Sequence, residues 1–467
     1  MSNDPRHIAL MILIHTHKDR ITLDHCIDRF EQELTTLDQR DRNLCYALVM
    51  GTFRHRARLD WIFSKCASRS IEKTDPYALT IIRMALFQVM YMDKIPASAA
   101  VNTAVNLAKK AGQAKISGFV NAVLRKAVEQ HPSIALPDIN KNPVLCLSVT
   151  HSQPQWLVKR WIKRYGLDLT RELCRTLNHV PAITLRVNTL KTDRNTLVDH
   201  LDPMAQRIEL TLLSPVGINI DRPKVPLSSM DALKNGWFQI QDEAAQMVTL
   251  LLDPQPGERV LDACAGLGGK TGHLAQLMKN QGEIIALDSD KNRLDKMAPV
   301  MADLGVDMVT PVRADLLKSS IKTLGGYFDR ILLDAPCTGL GVLRRNPDSR
   351  WGKGTKDIQR NAARQKKLLN HTANMLKPGG FLLYTVCSCE PEENMEVITH
   401  FLDKRKDYIL FQDTARLLSS KTGQAAAGNL IDNGVLCTFP LPGTMDGFFA
   451  ALLQRRDRPD TGPDLQE

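Results

Sequence analysis

The sequence predicts a multidomain chain: an all-α N-terminal domain, a small α+β connecting domain, and a C-terminal α/β domain on a largely parallel sheet. Three observations point there. Up to about residue 130, apolar residues recur at three- and four-residue spacing with no alternating strand pattern between them. The run HPSIALPDINKNP (131–143) is rich in Pro, Asn and Asp and has the composition of a linker. After Gly236 the pattern becomes strand, turn and helix in repeated succession, which implies parallel strands joined by crossover helices. The 467 residues fit roughly three domains at about 150 residues each. The expected divisions are 1–138, 139–235 and 236–455, followed by a polar, disordered tail at 456–467.

The elements follow in order. Ile8, Met11 and Leu13, then Leu44, Leu48 and Met50, then Leu79, Ile82, Leu86 and Val89 mark the first helices. Pro96 opens PASAAVNTAVNLAKKAG, where Val101, Ala104, Val105 and Ala108 share a face and Gly112 lies just past the end. ISGFVNAVLRKAVEQ is a further helix, stopped by His131-Pro132. The connecting region holds a basic, Trp-bearing helix at 156–166 and a strand in ITLRVNTL (183–190). Strands are then expected at 259–263, 283–288, 308–315, 328–334 and 381–386. Helices are expected at 271–280 and 291–304, with a long one ending at MLKPGG.

Composition narrows the class of protein. With 43% hydrophobic and 24% charged residues, neither wholesale disorder nor a fibrous repeat is compatible. A net charge of +10 favours attraction to phosphate polyanions. The ten cysteines are dispersed and form no C-x-x-C pair, so a reducing, cytoplasmic setting is expected and a metal site is not. No apolar run reaches the roughly 18 residues a membrane span needs. The apolar stretch 8–14 continues into His15, His17, Lys18 and Asp19 rather than a small-residue cleavage region, and so reads as a helix.

CAGLGGKTG (264–272) directly follows an apolar strand. A P-loop would need Gly where Cys264 stands, and a dinucleotide turn counted from Gly266 would need Gly where Thr271 stands. What remains is a turn of little bulk at Gly266, Gly268 and Gly269, open to a ligand at the carboxyl end of the first strand. Asp288 ends the second strand 22 residues after Gly266, a spacing that suits a grip on a ribose diol. Asp315 follows the third strand and Asp334 ends the fourth, so three carboxylates are expected on the sheet edge where open parallel sheets bind ligands. Taken singly, each could equally be a cap. Together they suit S-adenosylmethionine, which is cationic and has no phosphates.

Cys337, in DAPCTGLGVLRRNPDSRW (334–351), and Cys387, in YTVCSCEPEEN (384–394), fall at that same edge. Two thiols beside a methyl donor suit methylation of cytosine C5. This carbon is a poor nucleophile until a thiolate adds at C6, and a second thiol can aid the later elimination. An exocyclic-amine methyltransferase needs no thiol and shows Asn/Asp-Pro-Pro-aromatic where this chain has Asp-Ala-Pro-Cys. Cys26, Cys45, Cys66, Cys146, Cys174 and Cys437 are expected to be inert and buried. Arg344, Arg345, Asn346, Asp348 and Trp351 are expected to offer phosphate-binding charge and an aromatic plane near the chemistry.

These motifs resemble, in order and over almost the whole chain, the bacterial 16S ribosomal RNA cytosine-5 methyltransferases of the RsmB (Sun/Fmu) type. PASAAVNTAVNLAKK and GFVNAVLRK are similar to helices of a NusB-like RNA-binding domain. FQIQDEAAQMVTLLLDPQPGERVLDACAGLGGKTGHLA and GTMDGFFAALLQRR resemble the entry to and close of a Rossmann-like class I methyltransferase domain. The resemblance implies that Cys387 attacks C6, that Cys337 assists product release, and that Asp334 also meets the cytosine. It implies that Cys264, Ala265, Gly266, Leu267, Gly268, Gly269, Lys270, Asp288, Asp315 and Asp334 hold S-adenosylmethionine. Gly266 and Leu267 stand where the family usually has Ala-Pro, which leaves the turn less restricted. The expected partner of a monomeric enzyme is 16S ribosomal RNA, its cytosine in a loop or flipped from its stack. Transfer RNA as substrate, and a non-catalytic RNA-binding assembly factor, are the alternatives.

Overall fold

The computed structural model describes residues 4–19, 21–441 and 443–457, so residues 458–467 of the expected tail lie outside the described residues. The chain forms two compact units: Met1–Val180 with Leu343–Gly354, and Pro181–Val342 with Thr355–Glu467. No described helix is long and apolar enough to cross a membrane.

The first unit is helical throughout. Asp4 accepts from Arg6 N–H at 3.0 Å and Pro5 starts the helix Pro5–Lys18, whose last turn carries His15, His17 and Lys18, as the helix dipole favours. A second aspartate cap, Asp75, accepts from the N–H groups of Tyr77 and Ala78 and opens Pro76–Tyr91. That helix packs on the 28-residue helix Gln39–Cys66 at Gly51, where a Cβ would sit 2.0 Å from the Phe87 ring. Ala97–Lys110 and Ser117–Gln130 complete the core with Ala104, Leu107, Val120 and Leu124.

The helices that follow residue 138 pack with the first unit, and buried polar contacts hold them there. Ser152 accepts from Ala57 N–H at 2.7 Å, and Arg54 donates to the His179 carbonyl at 3.2 Å, which ties the helices Pro143–Thr150 and Gln155–Thr176 to the helical unit. Gly166 (φ 77°) breaks the second of these. The segment after the Cys337 motif joins the same unit. Arg350 is fully buried and donates to the carbonyls of Ser152, Leu177 and Leu343, and Trp351 Nε1 donates to the Phe53 carbonyl at 2.7 Å. Trp351 therefore packs on the helical core with Arg56 over its ring, and Arg344 is buried, so these two do not offer the expected aromatic plane and phosphate-binding charge.

The second unit contains two sheets. Strands β1 (Ile183–Val187), β2 (Ala205–Leu210), β3 (Gly217–Pro223) and β4 (Phe238–Ile240) form an antiparallel sheet in the order β2-β3-β1-β4. Leu185, Val187, Ile218, Ile220 and Phe238 of this sheet pack with Leu197 and Leu201 of the helix Arg194–Leu201.

The larger sheet holds β5 (Arg259–Asp262), β6 (Glu283–Asp288), β7 (Val309–Arg313), β8 (Phe328–Asp334), β9 (Leu376–Val386), β10 (Tyr408–Leu410), β11 (Ile431–Asp432), β12 (Val435–Cys437) and β13 (Phe449–Arg455). Its order is β11-β12-β13-β9-β8-β5-β6-β7, with β10 beside β13. Strands β5 to β9 are parallel to one another and β13 runs antiparallel to β9. Near-continuous burial of Ile284 to Leu287 and Ile331 to Leu333 is the mark of parallel strands covered on both faces. One element starts earlier than expected. The long helix Thr355–Ala373 ends before MLKPGG, and Leu376–Gly380 already belongs to β9, which pairs with β8 from Phe328 onward.

Candidate active site

The parallel register brings the chemistry together. Asp334 pairs with Thr385, and Ala335 N–H donates to the Thr385 carbonyl at 2.9 Å, so Cys337 and Cys387 leave the same edge three and two residues later. Their sulfurs lie 3.3 Å apart. Gly341 N–H donates to the Cys387 carbonyl at 3.0 Å and Gly447 N–H to the Gly341 carbonyl at 2.9 Å. A Cβ on Gly341 would sit 1.9 Å from the Gly447 oxygen, so these backbones meet only as glycines.

Beneath the thiols one buried carboxylate joins both loops. Glu393 accepts from Thr338 N–H at 2.8 Å, from Gln365 Nε2 at 3.2 Å, from Ser388 Oγ at 2.6 Å, and from Thr338 Oγ1. Thr338 and Ser388 each follow a site cysteine in sequence. Tyr384 donates to the Glu393 carbonyl at 2.6 Å. Sequence reading missed Glu393. The only signal was the acidic run EPEEN, and nothing local distinguishes its third acid from Glu390 and Glu392.

Electrostatics separates the two sulfurs. The hydrogen bond with Cys387, burial, and the charges of Cys387 and Glu393 together push the Cys337 thiol well above its ordinary range. Lys270, partly buried, donates to Asp334 Oδ2 at 2.6 Å and lies 5.4 Å over the Phe448 ring. Burial works against the Lys270 proton, but Asp334 foremost, with Cys387 and Asp262, outweighs it and holds the ammonium charged. Cys337 is thus the sulfur of the pair that keeps its proton, with the Lys270 ammonium held charged by Asp334 on the same edge.

The glycine turn meets the same edge. At Gly268 (φ +81°) a Cβ would lie 2.5 Å from Met297 Cγ, whereas at Gly266 (φ +57°) it would meet nothing, so the space beside Gly266 is open. Asp288, at the end of β6, accepts from Gly266 N–H at 2.9 Å and Asp290 N–H at 2.8 Å. Cys264 is partly buried, and burial followed by the carboxylates of Asp334, Asp262 and Asp288 pushes its thiol up. Asp315 is exposed and accepts from Leu317 N–H at 3.1 Å, a capping contact that accounts for its position. Leu267 is exposed on the turn. Cys26, Cys45, Cys66 and Cys174 are buried as expected, whereas Cys146 is only half-buried and Cys437 is exposed.

Comparison with known proteins matches this organisation. The profile of the 16S rRNA methyltransferase RsmB/F family matches residues 249–454, that of the NusB family 3–129, and that of the ferredoxin-like domain of RsmF/B-like methyltransferases 153–227. A probable ribosomal RNA small subunit methyltransferase B of Synechocystis is 35% identical over 453 residues, 96% of this chain and 99% of that protein. The chain belongs to the RsmB/F family. Among solved structures it is similar to PH0851, with a TM-score of 0.79 and 26% identity over 97% of this chain and 100% of that one. It is also similar to NSun6 from Pyrococcus horikoshii with SFG, with a TM-score of 0.55 and 25% identity over 65% of this chain and 98% of that one.

Membership makes the chain an S-adenosylmethionine-dependent ribosomal RNA methyltransferase, and the expected three-part architecture of NusB-like helices, ferredoxin-like connector and methyltransferase domain is present. Within the RsmB/F turn the structure adds a fourth acidic strand end, Asp262 on β5, which accepts from Thr271 Oγ1 at 2.7 Å. Burial raises its carboxyl to about 7, aided by the nearby Asp334 charge and opposed by the Thr271 hydroxyl. The folded protein thus keeps a proton that the unfolded chain releases near pH 4, so this stabilisation is full below about pH 4 and lost as pH rises towards 7. The difference in Tm between wild type and Asp262→Asn, followed from pH 4.5 to 7.5, is expected to move against wild type as pH rises. A difference independent of pH would contradict a protonated Asp262.

The clamp in this RsmB/F site gives a second expected result. Glu393→Gln offers an amide N–H to groups that are themselves donors, and each buried donor left unmatched costs about 1–3 kcal/mol. Tm should fall and the methylation rate drop at least about tenfold, while S-adenosylhomocysteine affinity, read by calorimetry, stays within about twofold. An unchanged rate would show that the cysteine loops hold their positions without Glu393.

Proposed function

We propose that the chain methylates C5 of a cytosine in small-subunit ribosomal RNA through a covalent bond between Cys387 and C6. The observation that carries this reading is the 3.3 Å pair of thiols at the carboxyl edge of the parallel sheet, one sulfur held protonated and the other beside a lysine. Cys387 Sγ adds to C6, which makes C5 enamine-like and nucleophilic. S-adenosylmethionine, when bound, supplies the methyl group that C5 accepts. A solvent water then takes the C5 proton, the C5–H electrons restore the ring double bond as the C6–S bond breaks, and the Cys337 thiol donates a hydrogen bond to the departing Cys387 sulfur, which leaves with the C6–S pair.

The residues present fit that cofactor. Gly266 leaves room, Asp288 stands at the ribose spacing, and Asp334 with Lys270 lies between the turn and the thiols. Cys264 to Lys270, Asp288 and Asp334 are the residues proposed to hold it, with Asp315 at the margin. The similarity to a structure holding SFG, an S-adenosylmethionine analogue, supports this assignment. RNA as partner, and ribosomal rather than transfer RNA, is supported by the NusB-family helices and by relatives named for small-subunit ribosomal RNA.

The test is nucleoside analysis after incubation with methyl-labelled cofactor and either a small-subunit ribosomal RNA transcript or transfer RNA. Label in 5-methylcytidine from the ribosomal transcript is expected. Label in N4-methylcytidine would overturn the C5 chemistry, and label only in transfer RNA would move the substrate to the alternative.

A further inference from the structure

Arg186, on β1 of the small antiparallel sheet, is fully buried and touches the methyltransferase turn. Its guanidinium donates to the Gly269 carbonyl at 2.6 Å, to Gln241 Oε1 at 2.6 Å, and to Gln239 Oε1. Gln241 Nε2 donates to the same Gly269 carbonyl at 3.3 Å. All of these acceptors are neutral, no carboxylate among the described residues pairs with the guanidinium, and Nε has no partner. Burial lowers its pKa to about 9, which still leaves it cationic at neutral pH.

A buried charge with no counter-ion is costly, and a neutral side chain of similar size is commonly as good or better for stability. The fold nevertheless makes room for this one. A Cβ on Gly272, one turn into the helix Gly269–Leu277, would lie 3.1 Å from Gln239 Oε1 and 3.4 Å from Arg186 Nη2, so the helix face toward the guanidinium is bare. This helix starts at the glycine turn, and its N-terminus carries roughly half a positive charge. Arg186 adds a full charge of the same sign behind its first residue, in a medium of low dielectric. S-adenosylmethionine has one anionic group, the carboxylate of its amino-acid end.

We propose that Arg186 is a positioning residue for the cofactor, holding the turn at Gly269 and favouring the carboxylate-bearing end electrostatically without touching it. This rests on the cofactor reading given above, and it assigns the connecting sheet a part in cofactor recognition.

The test measures calorimetric affinity for S-adenosylhomocysteine and for 5′-methylthioadenosine, which keeps the nucleoside and thioether but lacks the amino-acid end. Arg186→Gln retains a donor for the Gly269 carbonyl without the charge. It should weaken S-adenosylhomocysteine at least about tenfold and 5′-methylthioadenosine less than about threefold. Equal loss for both ligands, or none for S-adenosylhomocysteine, overturns the proposal. If Arg186→Gln does not melt cooperatively, Arg186→Lys carries the test. It keeps the charge but not the planar set of donors, so its ratio of the two affinities should stay within about threefold of wild type, and a collapsed ratio overturns the proposal. Failure of wild type itself to bind S-adenosylhomocysteine would refute the cofactor reading instead.

Discussion

Cys387→Ser is expected to abolish methyl transfer to RNA, with the rate falling by at least about ten-thousand-fold, the scale on which removal of a covalent nucleophile acts. A serine hydroxyl is essentially un-ionised near neutral pH, and the Lys270 ammonium that favours a thiolate cannot lower it far enough. Without addition at C6 the ring stays aromatic and C5 does not accept a methyl group. Since Cys387 stands at the end of β9 and the glycine turn follows β5, S-adenosylhomocysteine should bind the variant within about twofold of wild type. Residual transfer above one-tenth of the wild-type rate would move the nucleophile elsewhere, with Cys337 first in line at 3.3 Å.

Cys337→Ala should fail in the opposite way. Addition and methyl transfer proceed, but the departing Cys387 sulfur has lost the thiol that donates to it, and the enzyme stalls with RNA attached. Product formation should show a burst of about one methyl group per enzyme followed by a turnover rate at least about a hundredfold below wild type, and a protein–RNA band should survive a denaturing gel. The double variant Cys337→Ala with Cys387→Ser should give neither burst nor band. Free product at a normal rate from Cys337→Ala would remove this thiol from the release step.

Much of this site was legible because parallel α/β sheets align functional residues at strand ends. Once 259–263, 283–288, 328–334 and 381–386 read as parallel strands, Gly266, Asp288, Asp334, Cys337 and Cys387 had to share an edge whatever the crossover lengths. What stayed hidden depends on burial or on contacts far apart in sequence. Asp262 was visible as a strand end, but only its burial beside Asp334 makes it a proton holder. Glu393 is one of several acids in EPEEN until the fold places Thr338, 55 residues away, on its oxygens. Arg186 reads as an ordinary strand residue, and Gly269, 83 residues on, gives it its use. The segment after Cys337 misled for a related reason. Its basic and aromatic residues read as an RNA-facing loop, whereas Arg350 and Trp351 spend their hydrogen bonds on carbonyls of the helical unit.

The most direct test of the central claim uses ribosomal RNA transcribed with 5-fluorocytidine. Fluorine at C5 leaves no proton to remove after methylation, so the sulfur–C6 bond cannot be eliminated and the complex is trapped. Peptide mapping of the trapped complex by mass spectrometry is expected to place a methylated fluorocytidine on the peptide that contains Cys387. Attachment to the peptide that contains Cys337, or no covalent complex from enzyme active on unmodified RNA, would contradict the mechanism.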